Sequence, residues 1–89
     1  MRKKTWEFQV TVETDEIEDF IESLANSLLQ FRLPTKHRNR IMFICLARGY
    51  EPEDAAEVLE YYLVDDLKAK VYGIKCLGVL SYEQEYYLY

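Results

Sequence analysis

Seven consecutive apolar residues, Ile41-Met42-Phe43-Ile44-Cys45-Leu46-Ala47, stand between Arg38 and Arg40 on one side and Arg48 and Gly49 on the other. Read as a helix, the run has no polar face and must be covered on every side. A chain of 89 residues has little material for that job, because small domains bury a smaller share of their surface. The expectation is that part of the cover comes from a second molecule, either another copy in a homodimer or a target.

The length suits one domain spanning 1–89. Hydrophobic residues make up 49% of the chain, enough to drive folding. The net charge of −5 disfavours loose attachment to nucleic acid or anionic lipid while leaving room for a local basic patch. Met1-Arg2-Lys3-Lys4 imitates the start of a signal peptide, but an alternating segment follows in place of an apolar one. No stretch is apolar over the roughly 18 residues that a membrane span requires. Cys45 and Cys76 form no CxxC pair and lie in apolar runs, which suits reduced thiols in a cytoplasmic protein.

Along the chain, Trp6, Phe8, Val10 and Val12 alternate with Glu7, Gln9 and Thr11, the pattern of a half-buried strand. Thr14 or Asp15 would cap a helix over 15–31, whose stripe is Ile17, Phe20, Ile21, Leu24, Leu28 and Phe31, ended by Pro34. A second helix is expected over 35–48 and a third over 52–72. Gly49 would end the former and Pro52 would open the latter. The third stripe runs through Ala55, Val58, Leu59, Tyr62, Leu63, Leu67 and Val71. Part of 74–89 should be extended and able to pair antiparallel with 6–12. The predicted fold is therefore α+β: an N-terminal strand, three helices of which the last two form a helical hairpin, and a C-terminal extended segment. Charge alternates in bands, acidic over 13–31 and 51–66, basic over 32–50 and 67–80. Attraction between neighbouring helices is the simple account of that alternation.

Leu33-Pro34, Arg38, Leu46-Ala47-Arg48-Gly49-Tyr50 and Glu53-Asp54-Ala55-Ala56-Glu57-Val58-Leu59 together resemble the helix-turn-helix of sigma-factor region 4 and related regulators. The resemblance covers about 33–59, with looser agreement to 77. It implies a recognition helix near 65–76 and a DNA-binding role for Arg38, Arg40, Lys68, Lys70 and Lys75. Two features depart from the family: Glu60-Tyr61-Tyr62 continues the helical pattern where a turn residue is usual, and Asp65-Asp66 would repel phosphates. The stretch from Leu46 to Leu59 is also similar to a ubiquitin-associated domain, with Gly49-Tyr50 in its loop. A pattern shared by two unrelated families marks a generic pair of helices.

Catalytic chemistry finds little footing. His37 is the sole histidine, and neither cysteine nor any serine stands in a nucleophile motif. The carboxylates Asp15, Glu16, Glu18, Asp19 and Glu22 fit a solvated helix face. The three glycines build no phosphate loop, and metal ligands do not cluster. No catalytic residue, metal, cofactor or small-molecule substrate is expected.

The aromatic residues carry the stronger signal. Tyr82, Tyr86, Tyr87 and Tyr89, set among Glu83 and Glu85, crowd the last nine residues. Tyrosine offers large contact area, a polar tip and few rotamers, so such a cluster suits a protein-binding surface. The functional expectation is a small non-enzymatic regulatory module. It would be an acidic adaptor or inhibitor, of a kind common in phages and mobile elements, that meets a protein with a basic surface. The alternative is a dimeric DNA-binding regulator working through 35–77.

Overall fold

The computed structural model describes residues 3–26 and 31–80. Among them are four strands and two helices: β1 (Lys4–Glu13), α1 (Ile17–Ala25), β2 (Phe31–His37), β3 (Arg40–Gly49), α2 (Pro52–Tyr61) with a π-helical turn over Tyr62–Asp66, and β4 (Lys70–Val79). The sheet order is β2-β3-β1-β4, with every neighbouring pair antiparallel. Element order and strand order together give the split-βαβ, or ferredoxin-like, connectivity.

This overturns the three-helix expectation and with it the helical hairpin. The apolar run Ile41–Ala47 is a central strand. Periodicity cannot separate a short, wholly apolar helix from a buried strand; length and β-branched or aromatic content decide. Seven residues containing Ile41, Phe43 and Ile44 suit a strand flanked on both sides, as β3 is by β2 and β1. Ile41, Phe43, Cys45 and Ala47 turn to the helix layer and are buried there. The run is thus covered largely by its own chain, and the argument for a homodimer drawn from an unprotected helix loses its premise.

The first expected helix stops at Ala25, and Phe31 begins β2. Thr14 sits ahead of that helix, its hydroxyl accepting from the Glu16 amide at 3.2 Å, and neither Thr14 nor Asp15 is the cap. Pro34 lies inside β2, where the register slips between Arg32 and Thr35. An outer strand with an irregularity is the place where a sheet tolerates a residue lacking an N–H. The third expected helix ends with the π-helical turn at Asp66, and Val71 belongs to β4.

The core lies between the sheet and the helices. Phe8, Val10 and Val12 of β1 meet Phe20 and Leu24 of α1, and Ala55, Leu59 and Leu63 of the second helical segment. Burying one large side chain of this kind is worth about 1.5–3 kcal/mol. Phe43 is the hub, with ring centroids 6.0 Å from Phe20 and 6.4 Å from Phe31. Gly49 closes no helix. Its backbone packs against α2, where a Cβ would come within 2.8 Å of the Ala55 nitrogen, and its carbonyl accepts from the Trp6 indole at 3.0 Å.

Candidate functional site

Because successive strand residues alternate faces, the register defines a second sheet surface that the helices leave alone. It carries Thr5, Glu7, Gln9, Thr11 and Glu13 of β1, Arg40, Met42, Ile44, Leu46 and Arg48 of β3, Arg32, Thr35 and His37 of β2, and Lys70 and Lys75 of β4. Near Gly49 this face is closed, with Leu46 only 9% exposed and Thr5 buried. It opens towards Glu13, where Met42 is 39% and Tyr72 45% exposed.

At that open end the β4 register shifts between Thr11 and Val12, and Tyr72 is the extra residue. Such bulges re-aim side chains. The Tyr72 hydroxyl donates to Glu13 Oε2 at 2.7 Å, while Asn39 Nδ2 donates to Glu13 Oε1 at 2.9 Å. The Arg40 guanidinium lies 4.2 Å from the Tyr72 ring centroid, and Lys70 Nζ lies 5.3 Å from it. The Tyr72 hydrogen bond, helped by Asn39, Arg40 and Lys70 against partial desolvation, holds the Glu13 carboxyl below the usual carboxylate range. Arg32 pairs with Glu7 at 2.7 Å on the same face. Arg40, Arg48, Lys70 and Lys75 form no ion pair among the described residues.

The opposite side of the molecule is acidic. α2 buries Ala55 and Leu59, and the π-helical turn buries Leu63. This leaves Val58 65%, Tyr61 68% and Val64 41% exposed. Residues three apart on a helix are neighbours, so the three form one outward stripe. Asp54, Glu57, Glu60 and Asp65 lie exposed around it.

The residues singled out from the sequence redistribute accordingly. The helix-turn-helix reading fails, because 35–77 contains the end of β2, all of β3 and most of β4, and the supposed recognition helix becomes a strand from Lys70 onward. The same is true of the ubiquitin-associated likeness, which needs a helix where β3 stands. Of the five cations assigned to DNA, Arg40, Lys70 and Lys75 nevertheless share the sheet face. Arg38 occupies the β2–β3 turn at φ 58°, and Lys68 the loop before β4 at φ 58°. Tyr82, Glu83, Glu85, Tyr86, Tyr87 and Tyr89 lie outside the described residues. Sequence reasoning placed Val58 in the core stripe and did not single out Tyr61, Val64 or Tyr72. The acidic flanks of Val58 and Tyr61 were the available signal.

Burial pushes the Cys45 thiol up to about 12, far from a nucleophilic thiolate. Cys45 and Cys76 both lie opposite Phe8, on either side of β1. Two strand spacings separate them by about 9–10 Å, too far for a disulfide. An open depression at the end of the sheet mixes Glu13, Asp15 and Asp19 with Lys68 and Lys70. Among the described residues no three side chains gather to hold a metal ion, and no helix is long and apolar enough to cross a membrane. Compared with known proteins, the chain matches no family model, no curated protein and no solved structure.

Proposed function

We propose that this chain is a non-enzymatic protein-binding module, an adaptor or inhibitor that docks a partner on the outward face of α2. The observation that carries the reading is the exposed stripe Val58, Tyr61 and Val64. A folded chain gains nothing internally from three large apolar side chains standing in water, whereas an interface centres on such anchors and surrounds them with polar residues. Asp54, Glu57, Glu60 and Asp65 supply that rim and give it one sign. The complementary partner is a protein presenting a basic, apolar helix or ridge. Two cysteines without a bridge suit a reducing compartment, and we take the cytoplasm as the place of action.

The test uses the full chain and a synthetic amphipathic helix of lysine and leucine, titrated by fluorescence anisotropy. The wild type should bind it and should not bind the counterpart with glutamate in place of lysine. Tyr61→Ala should weaken binding by about tenfold or more, as loss of an interface anchor does, without moving the unfolding midpoint. Equal affinity of wild type and Tyr61→Ala would reject the α2 face as the docking surface.

A further inference from the structure

We infer that the open end of the sheet face turned away from the helices binds single-stranded nucleic acid, with its centre at Tyr72. The inference does not rest on the α2 reading, because it concerns the opposite side of the molecule.

Charge is the first argument. The chain as a whole carries −5, yet this face sets Arg32, Arg40, Arg48, Lys70 and Lys75 against Glu7 and Glu13. Both carboxylates are engaged, Glu7 by Arg32 and Glu13 by Tyr72 and Asn39. The remaining cations are spread out. At the usual strand rise, Lys75 lies about 16 Å along β4 from Lys70, and Arg48 about 26 Å along β3 from Arg40. A single carboxylate or phosphate group uses one such cation. A polyanion with repeating charges uses the row.

The surface between the cations is the second argument. At the open end of the sheet Arg40 lies over the Tyr72 ring, its Cζ 4.2 Å from the centroid, with Lys70 Nζ at 5.3 Å. Aromatic rings and guanidinium planes are the platforms on which unpaired bases stack. Met42, half-buried Ile44 and Thr11 continue the same face as an uncharged strip. Shape then separates single strands from duplex. A major groove about 12 Å wide admits a helix or a two-stranded ribbon, not the breadth of a four-stranded sheet. Phosphates would run along the Arg and Lys positions while one base covers the Tyr72–Arg40 pair.

The experiment titrates the full chain against a fluorescein-labelled twelve-residue thymidine oligonucleotide over a range of salt concentrations. A face with three cations in excess neutralises about three phosphates, so log K should fall against log salt with a slope of about −2. Tyr72→Ala should weaken binding by about tenfold, the loss of one stacked base. Lys70→Glu combined with Lys75→Glu should abolish the salt-dependent component, with the unfolding midpoint checked to show that the fold survives. Absence of binding at low salt would overturn the inference. Binding untouched by these substitutions would also overturn it, as would competition by duplex DNA or linear polyphosphate equal to that of the oligonucleotide.

Discussion

Met42 and Phe43 are adjacent in the chain and point in opposite directions, so alanine at each position should have very different consequences. Phe43 is buried in the core, between the rings of Phe20 and Phe31. Truncating it removes the transfer energy of the ring and opens a cavity that strand β3, hydrogen-bonded on both sides, cannot collapse. The expected loss is about 3–5 kcal/mol. Met42 lies on the uncovered face, in contact with the Gln9 amide and substantially exposed. Its truncation leaves no enclosed cavity, and about 1 kcal/mol is the expected loss. A chain of this length has a total stability of roughly 4–13 kcal/mol, so Phe43→Ala is enough to unfold a chain at the low end of that range. Phe43→Leu, which keeps most of the volume, guards against that outcome with a loss of about 1–2 kcal/mol. Urea unfolding followed by circular dichroism would read all three variants. With m near 1 kcal/mol/M, Met42→Ala should lower the midpoint by about 1 M, and Phe43→Ala by about three times as much or more. Similar losses at the two positions would refute the reasoning, since a helix buried on every side makes neighbouring residues equally costly and a half-covered strand does not.

Three further outcomes follow from the same geometry. A disulfide thiol reagent at pH 8 should titrate Cys76 in the native protein and Cys45 only after denaturation; immediate reaction of both would contradict the burial of β3. Gly49→Ala should destabilise by about 1–3 kcal/mol, because the new methyl meets backbone of α2 that cannot move aside alone; thermal unfolding within experimental error of wild type would contradict that close approach. Glu13 has a folded pKa below its unfolded value of 4.5, so its ties contribute stability above that pH and lose it as pH falls through the folded value. Tyr72→Phe should move the Glu13 titration, followed by carboxyl NMR, upward; an unmoved titration would remove the hydrogen bond from the account.

What could be read from the sequence depended on whether the local pattern had one interpretation. β1 alternates cleanly through Phe8, Val10 and Val12, and only a strand puts those side chains on one face. α2 announces itself with Pro52 at its first position and acidic residues in its first turn. The run at 41–47 had two interpretations, and the choice between them depended on partners far away in sequence: Phe8 opposite Cys45 and Phe31 beside it. Pro34 was read as the end of a helix, whereas it lies in an outer strand that accommodates it by a slip in register. Tyr72 was illegible because its place depends on a bulge, which is a property of pairing and not of β4 by itself. Val58 was misassigned because it adjoins Leu59 on the helix surface and differs from it by one step of rotation, with the core ending between them.

The alternating charge bands take on a different meaning once the elements are known. Attraction between adjacent helices is not the account, because the basic bands lie mainly on strands, although one ion pair does join a basic band to an acidic one. Among the described residues the ion pairs are Arg32–Glu7, within the sheet, and Lys36–Glu18, from β2 to α1. The basic bands fall on β2, β3 and β4, and the acidic bands fall mainly on the helices that cover the other side. An alternation along the chain therefore becomes a separation between layers, because split-βαβ connectivity sends successive elements to opposite sides of the core. Net charge then misleads about binding. An anion approaching the sheet at Tyr72 meets Arg40 and Lys70 within a Debye length of about 8 Å at physiological salt, while the carboxylates of α2 lie behind the core and are screened. The total of −5 sets how copies of the chain repel one another in solution; each face sets what it attracts.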